Sequence, residues 1–363
     1  MRILYDHQMF SLQKYGGITK YFSELICNIP AEHQYEISLI NSDNQYLSEK
    51  HNLFKIRNIL PAREFKGKYT LKKINYSINK YYSKRFIEKN NFDLFHPTFY
   101  DTYFLDVLKK PYVITVHDLI AFKFKDLLSH FSAIRPKMKE AIENANRIIS
   151  VSENTKNDVV EVFNINPDKI DVIYHGYNLP TNLSTSNEFG EYILFVGRRE
   201  SYKNFSTFVY AISNMLAKNK TLKLICVGKP FSKEEIAEFT RLHIADQVKA
   251  VNVDEAGLNN LYTNALVFVY PSLYEGFGMP ILEAFANNCP ICLSNTGCFP
   301  EIAGTGGTYF DPASEASIAA AVEKVIYNDS LKADMISEGK KRLVNFSWKK
   351  TAEQTISTYQ KVL

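Results

Sequence analysis

The sequence of 363 residues lacks the features of a membrane-spanning or disulfide-rich protein. No apolar run approaches the roughly 20 uninterrupted residues that cross a bilayer, and the opening MRILY predicts a strand rather than a signal peptide. Five cysteines are few and odd in number for this length, which argues against a disulfide framework and favours reduced thiols. We therefore expect a cytoplasmic protein.

Patterns that bind metal ions are also missing from the sequence. An Asp-x-Asp motif occurs nowhere, and no His, Asp, Glu or Cys cluster has the spacing of metal ligands. Cys289 and Cys292 form a C-x-x-C, but they lie at a predicted helix end and inside an apolar run rather than at the start of a helix in a βαβ unit. We interpret them as buried structural cysteines and expect a protein that needs no metal or other cofactor.

The formal net charge of +4 is concentrated in one segment. Residues 62–90 contain nine Lys or Arg and two Glu, so this segment carries 9 − 2 = +7 and the rest of the chain −3. Apolar residues recur there at helical spacing, at Leu71, Ile74, Ile78, Tyr81 or Tyr82, and Phe86. The pattern fits a cationic helix that rests on an anionic membrane, and it fits equally the solvated helix of an ordinary core. Nucleic acid is not expected as a partner, because no recognised binding module accompanies the charge.

Length and periodicity predict two α/β domains. The chain is too long for one ordinary core, and short apolar runs alternate with helical patterns from end to end, which is typical of parallel sheets. We predict an N-terminal domain over residues 1–177, a polar linker over 178–188 and a C-terminal domain over 189–347. Predicted strands include residues 36–40, 112–117 and 171–175. Two doubly wound domains would present the carboxyl ends of their sheets to a shared central cleft.

The strongest local signal is the segment 270–292, in which a strand, a glycine-bearing loop and a helix follow one another. Gly276 and Gly278 allow the backbone to approach a ligand closely, and Pro280 suits the first turn of a helix. The N–H groups of that first turn favour an anion. This order predicts a phosphate-binding site.

Two carboxylates flank the predicted phosphate site. Glu275 lies in the loop and Glu283 lies one turn into the helix. A carboxylate accepts two hydroxyl groups at once, so the pair suits the sugar and the ribose of a nucleotide sugar. The spacing alone also fits a helix start that is stabilised by negative charge and binds nothing.

Within E-G-F-G-M-P-I-L-E, these two glutamates resemble the signature of the retaining GT-B glycosyltransferases called group 1 or family 4. Further landmarks follow in that family's order: Gly16-Gly17, His117-Asp118, Ser150-Val151-Ser152, Tyr174-His175-Gly176, Gly197-Arg198 with Lys203-Asn204, and Pro300-Glu301-Ile302. The resemblance covers nearly the whole chain. The openings Tyr5-Asp6-His7-Gln8 and Tyr15-Gly16-Gly17-Ile18 are most similar to bacterial polysaccharide and O-antigen mannosyltransferases.

The resemblance implies a role for each matching residue. Arg198 and Lys203 would hold the diphosphate, Glu283 the ribose and Glu275 a hydroxyl of the transferred sugar. Contacts to the donor would also come from the loop and from the first helix of the N-terminal domain, through Gly276, Phe277, Gly278, Met279, Gly16 and Gly17. His117 would lie beside the transferred sugar, so that His117 and Glu275 are the predicted catalytic residues. The family's C-terminal helix, here residues 348–363, is expected to return to the N-terminal domain.

Structural alternatives remain open for several of these residues. Arg198 and Lys203 also fit surface cations, Gly16-Gly17 a plain turn, and His117 a satisfied structural histidine. For His7, His96 and His175 we favour packing over catalysis.

The sequence therefore predicts a retaining, metal-independent hexosyltransferase that uses a nucleotide diphosphate sugar, with GDP-mannose as the leading donor. The acceptor would be a growing bacterial surface glycan, in an α-linkage and with a lipid carrier that would bring the enzyme to the inner face of the cytoplasmic membrane. A UDP-sugar-dependent transferase of the same family is the alternative. A nucleotide-sugar epimerase or hydrolase, or a regulator that binds nucleotide sugar without catalysis, fits less well.

Overall fold

The computed structural model describes residues 1–49, 67–125, 131–180, 186–199 and 201–363. They form two compact units. The first unit comprises Met1–Gly176 together with Ser347–Leu363, and the second comprises Tyr177–Phe346. Parts of the predicted linker and of the basic segment, residues 181–185 and 62–66, lie outside the described residues.

The first unit alternates strands and helices along the chain. Its strands are β1 (Arg2–Asp6), β2 (Gln34–Ser38), β3 (Leu94–His96), β4 (Val113–Val116), β5 (Arg147–Ser150) and β6 (Ile170–Val172). Its helices are α1 (Gln8–Leu12), α2 (Gly17–Cys27), α3 (Gln45–Glu49), α4 (Lys68–Glu88), α5 (Ile120–Lys123), α6 (Ile134–Asn144) and α7 (Glu153–Phe163), with the C-terminal α15 (Trp348–Gln360).

The strands of the first unit are parallel and buried. They pair in the orders β2-β1-β3 and β4-β5-β6, and a single parallel bridge between Phe95 and Tyr112 links the two sets. All four residues of β4, VITV, are buried, as expected for a strand covered by helices on both faces. Helix α15 packs against α2 and contributes Trp348, Ala352 and Tyr359 to the core, so the predicted return of the C-terminal helix is confirmed.

The second unit is a doubly wound domain. Its strands are β7 (Tyr192–Val196), β8 (Lys223–Val227), β9 (Val248–Val251), β10 (Val267–Tyr270), β11 (Ile291–Ser294) and β12 (Thr308–Phe310). Its helices are α8 (Phe205–Lys218), α9 (Lys233–Arg241), α10 (Glu255–Asn264), α11 (Met279–Ala286), α12 (Phe299–Ala303), α13 (Glu315–Ile326) and α14 (Asp329–Leu343).

Strand order in the second unit places two of the predicted binding segments side by side. The sheet runs β12-β11-β10-β7-β8-β9, so the chain winds outward from β7 in one direction and from β10 in the other. The switch point lies between β7 and β10, which pair in parallel. Ligands of doubly wound sheets bind beyond the carboxyl ends of the strands at this point, and the segments that follow are Gly197-Arg198 after β7 and the glycine loop after β10.

Several predicted element boundaries were wrong. The strand predicted over 36–40 is β2 and ends at Ser38; the one over 171–175 is β6 and ends at Val172, which leaves His175 beyond the sheet. The strand over 112–117 is β4 and ends at Val116, because Asp118 accepts the amide of Ile120 through Oδ1 at 3.0 Å and turns the chain. The three-residue β12 and the short helices α1, α3, α5 and α12 were not predicted.

Candidate active site

The loop between β10 and α11 has a backbone that glycine alone fits. Gly278 has φ +91° directly before the helix, and a Cβ there would lie 3.1 Å from Ile281 Cδ1 and 3.2 Å from Phe299 Cε1. Pro280 stands in the first helical turn, and no side chain of the described residues caps the helix. The start of α11 is therefore suited to an external anion.

Packing below the loop fixes its shape. Phe277 is buried and meets the ring of Phe346 edge-on at 5.9 Å, so its side chain anchors the loop and its backbone is the part available to a ligand. The buried thiol of Cys298 donates to the carbonyl oxygen of Glu275 at 3.2 Å, and the amide of Leu273 donates to the carbonyl of Tyr202 at 2.8 Å. These hydrogen bonds are made to backbone atoms of the loop, so they position Glu275 without occupying its carboxylate.

The Glu275 carboxylate forms an ion pair with Lys203, whose Nζ lies 2.5 Å from Oε1. The pair is largely shielded from water, because the side chains of Lys203 and Glu275 keep only 15% and 11% of their exposure. It lies beside the ring of Tyr270, the last residue of β10. The pKa of Tyr270 is raised well above its ordinary value, first by burial and then by the charge of Glu275. The structure thus brings together the predicted diphosphate cation and the predicted sugar-binding carboxylate, which are 72 positions apart.

Two consecutive arginines after β7 have different environments. Gly197, with φ +135°, turns the chain out of the strand, and Arg198 is exposed at the carboxyl end of the sheet. Arg199 is instead bound internally, with Nε 2.5 Å from Glu235 Oε1, Nη2 2.9 Å from the carbonyl oxygens of Lys229 and Pro230, and its guanidinium over Phe231. Arg199 therefore supports the fold, and Arg198 is the more exposed of the two.

Glu283 lies one turn into α11 and is half-buried. Tyr262 donates its hydroxyl to Glu283 Oε2 at 3.0 Å. The pKa of Tyr262 is raised well above its ordinary value by burial and then by Glu283, and burial and Glu283 also raise that of Tyr177. The sequence did not indicate that Tyr262 supports this carboxylate.

His117 of the first unit directly follows β4. Its ring meets Tyr21 edge-on at a centroid distance of 5.0 Å and lies 5.8 Å from the ring of His175. Its Nε2 is buried and has no hydrogen-bond partner among the described residues. Burial lowers the pKa of His117 to about 3, so the ring is neutral near pH 7. It can form a hydrogen bond to a ligand, but it is a weak proton acceptor.

A buried series of hydrogen bonds runs next to His117, and no sequence pattern predicted it. The hydroxyls of Tyr5 and Tyr359 share a bond of 2.9 Å, Tyr359 reaches His96 Nδ1 at 2.5 Å, and His96 Nε2 reaches Thr115 Oγ1 at 3.0 Å. Tyr21 completes it through Thr115 at 3.3 Å. Both ring nitrogens of His96 are therefore engaged within the fold. These hydrogen bonds connect α15 to the central strands of the first unit.

The other sequence-predicted residues of the first unit lie at helix starts. Gly16 is the extended residue before α2, where a Cβ would collide with the side chain of Gln13, and Gly17 is the first helical residue. His7 precedes α1 and is fully buried, with Nδ1 3.2 Å from Ser11 Oγ and with Nε2 unpartnered among the described residues. Burial lowers the pKa of His7 to about 3.

An acidic centre near His7 was missed by sequence reasoning. Asp101 binds Lys80 Nζ at 2.8 Å, Lys137 Nζ at 2.9 Å and the Tyr76 hydroxyl at 3.2 Å. The two lysines hold the pKa of Asp101 below its ordinary value against the opposing effect of burial. Its three partners come from α4 and α6, on either side of Asp101 in the sequence, so no local pattern could reveal it.

Neither a metal site nor a membrane-spanning helix occurs among the described residues. No group of three or more His, Cys, Asp or Glu side chains among them is placed to hold a metal ion. No helix in the described ranges is both long enough and apolar enough to cross a membrane.

Two family descriptions match the chain, one for each unit. The family described as Glycosyltransferase Family 4 matches residues 15–180, and the one described as Glycosyl transferases group 1 matches residues 183–342. The chain belongs to the group 1, family 4 glycosyltransferases. The resemblance stated from the sequence motifs is thereby confirmed.

Curated relatives and solved structures agree with this membership. The O-antigen chain mannosyltransferase RfbU of Salmonella typhimurium is 28% identical over 58% of this chain, which spans 60% of that relative's length. The O-antigen chain mannosyltransferase B of Escherichia coli is 25% identical to this chain, and the match covers 68% of this chain and 70% of the relative's length. The crystal structure of Anabaena Alr3699/HepE in complex with UDP and glucose matches 99% of this chain and 100% of its own with a TM-score of 0.75 at 15% identity. The predicted GT-B fold class is confirmed.

Proposed function

We propose that this glycosyltransferase is a retaining, metal-independent hexosyltransferase. It moves a hexose from a nucleotide diphosphate sugar to a bacterial surface glycan in an α-linkage. The observation that carries the proposal is the Lys203–Glu275 pair beside the start of α11, at the switch point of the second sheet. A cation, a carboxylate and the N-terminus of a helix at one place suit a diphosphate joined to a sugar.

Each donor group has a proposed partner. The diphosphate binds Arg198, Lys203 and the backbone from Gly276 to Met279, with further amides from Gly16-Gly17. The ribose hydroxyls bind Glu283, whose second partner Tyr262 holds it in place. A hydroxyl of the sugar binds Glu275, the nearest carboxylate to the diphosphate cation.

The chemical step needs no protein nucleophile in this proposal. The bond between the anomeric carbon and the diphosphate oxygen breaks, and the acceptor hydroxyl forms the new bond on the same face. Its proton passes to the departing diphosphate, while Arg198 and Lys203 stabilise the negative charge that develops there. His117 contributes a hydrogen bond to the sugar rather than proton transfer, because its pKa is lowered to about 3.

GDP-mannose is the proposed donor. The names of three relatives support mannose, since they are O-antigen chain mannosyltransferases RfbU and B and the MMP alpha-(1->4)-mannosyltransferase of Mycolicibacterium hassiacum. A UDP-sugar is the alternative donor. A growing glycan on a lipid carrier is the proposed acceptor, and the protein is proposed to work in the cytoplasm, at the inner face of the membrane.

The first experiment is a thermal-shift panel of GDP-, UDP-, ADP- and dTDP-sugars, each with and without EDTA. The proposal expects one base to stabilise the protein and EDTA to have no effect. The selected donor is then incubated with and without a lipid-linked acceptor. Full-rate donor consumption without acceptor would assign the chain to the epimerases or hydrolases, and donor binding without any turnover would assign it to the non-catalytic regulators.

A further inference from the structure

Helix α4 of the first unit exposes an apolar face to solvent and buries a mostly polar face. Leu71, Ile74, Ile78 and Tyr81, here called the α4 stripe, are 40%, 50%, 46% and 68% exposed. Their spacing of three, four and three residues puts them on one face of the helix. The buried positions are instead mostly polar, at Asn75, Asn79, Ser83 and Ile87. An ordinary core helix buries its apolar stripe, and this one exposes it.

Hydrogen bonds on the buried side fix this orientation. Asn79 accepts the amide of Ile40 at 3.1 Å through Oδ1 and donates Nδ2 to the carbonyl oxygen of Asn41 at 2.8 Å. Ser83 Oγ lies 2.6 Å from both Ser38 Oγ and the Tyr103 hydroxyl. Turning the stripe inward would leave these buried groups without partners, which is unfavourable for each of them. The apolar face is therefore held outward.

The cations around the stripe are less available than the sequence indicated. Lys72 pairs with Asp43 at 3.1 Å, Lys80 with Asp101 at 2.8 Å, Lys84 with Asp106 at 3.8 Å and Arg85 with Glu88 at 2.8 Å. The helix still has six Lys or Arg against a single Glu. Charge favours an anionic partner, but the exposed apolar side chains must supply much of the affinity.

We propose that the α4 stripe inserts into the interfacial layer of an anionic lipid bilayer, with α4 lying parallel to the surface. The helix has 21 residues and is about 31 Å long at roughly 1.5 Å per residue, so the stripe forms a line rather than a point of contact. Tyr81 suits the headgroup region. Lys73, whose Nζ lies 4.6 Å from the ring centroid of Tyr69, meets lipid phosphates.

A lipid surface fits the stripe better than a second copy of the chain. Two α4 helices placed face to face would bring two positively charged helices together, and such like-charge contacts are unfavourable. A bilayer offers both an apolar layer and negative charge. The inference deepens the membrane location in the proposed function, and it assigns the contact to insertion of named side chains rather than to charge alone.

The test is flotation with vesicles of phosphatidylcholine containing phosphatidylglycerol, using two matched variants. Ile74→Asp lies in the stripe, and Ile236→Asp lies in α9 of the second unit; both isoleucines are 50% exposed. We expect wild type and Ile236→Asp to float, and Ile74→Asp to partition at least about tenfold less, since losing a buried aliphatic side chain costs more than 1.4 kcal/mol. Stabilisation by the donor selected in the panel is measured on each protein.

A fluorescent variant gives an independent measurement. Trp348 is the single tryptophan and is buried, so Tyr81→Trp adds one reporter on the stripe. Its emission should shift to the blue with anionic vesicles and be quenched by brominated lipid chains. No shift, or equal flotation of Ile74→Asp and wild type, would overturn the insertion. If the protein dimerises without vesicles and Ile74→Asp makes it monomeric, the stripe is a self-association surface, and this too would overturn the insertion. In each case, unchanged donor stabilisation would leave the transferase proposal standing.

Discussion

Replacing Lys203 with methionine should destabilise the ligand-free protein as well as impair donor binding. The variant leaves the carboxylate of Glu275 without its cation at a site where that side chain is only 11% exposed. Breaking a fully buried pair costs about 3–5 kcal/mol. Because water still reaches both partners, we expect roughly 2–3 kcal/mol. For a unit of this size, about 1 kcal/mol corresponds to 2–4 °C, so Tm of the second unit should fall by about 4–12 °C.

The double variant Lys203→Met with Glu275→Gln separates the ion pair from other effects. An amide has no charge that needs a partner, so the double variant should recover at least half of the lost stability. Differential scanning calorimetry of wild type, both single variants and the double variant completes a double-mutant cycle. A coupling near zero, or a single variant Lys203→Met that melts at the wild-type temperature, would refute the reasoning.

For nucleoside diphosphate binding, removing the charge of Glu275 should have the opposite effect to removing that of Lys203. The Glu275 carboxylate competes with a diphosphate for the charge of Lys203, so Glu275→Gln should bind the free nucleoside diphosphate more tightly while transferring sugar more slowly. Isothermal titration with the nucleoside diphosphate measures the first effect, and initial transfer rates measure the second. Weaker nucleoside diphosphate binding by Glu275→Gln would show that the pair does not compete with the ligand.

Three further predictions follow from other parts of the structure. His117→Ala should lower kcat strongly without changing nucleoside diphosphate affinity, and the kcat profile should show no group titrating near pH 6.5; a wild-type rate would remove His117 from the site. Gly278→Ala should destabilise the second unit by about 1–3 kcal/mol, because φ is +91° and the space is filled, and an unchanged Tm would contradict this. Acid should destabilise the first unit. Burial lowers the pKa to about 3 in His7 and His96 and well below 6.5 in His175. Between these lowered pKa values and pH 6.5, the unfolded chain therefore binds more protons than the folded chain. Stability is complete above pH 6.5 and is lost as pH falls. With His117, whose pKa is also lowered to about 3, four histidines give up to about 5 kcal/mol per pH unit, and Asp6, whose pKa is raised by burial, acts in the opposite direction. Trp348 fluorescence at pH 6 and pH 5 reports this unit, and equal melting at both would refute the calculation.

Local chemistry explains why the glycine loop before α11 could be predicted from the sequence. The loop before α11 depends on near neighbours: Gly278 supplies the positive φ, Pro280 suits the first turn and β10 is a short apolar run. The doubly wound order also follows from the alternation of strands and helices. Residues far apart in the chain gave no such signal, so the contact between Lys203 and Glu275 and the burial of Arg199 could not be foreseen.

Helix α4 shows the other limit of sequence reasoning. Its period predicted a helix and an apolar stripe, and both are present. Hydrophobic periodicity does not show which face of a helix is buried, because that depends on the segments against which the helix packs. Asn79 and Ser83 form hydrogen bonds near β2, and these turn the stripe outward. The paired cations have the same cause, since Asp43, Asp101 and Asp106 come from other segments.

The central claim is that the second unit holds a nucleotide diphosphate sugar through Arg198, Lys203 and the start of α11. Isothermal titration of GDP and UDP into wild type and Lys203→Met tests it most directly. One charge-assisted contact contributes about 1.5–3 kcal/mol, so we predict that one nucleotide binds wild type at one site per chain and binds the variant at least about tenfold more weakly. Equal affinity of wild type and Lys203→Met would contradict the account.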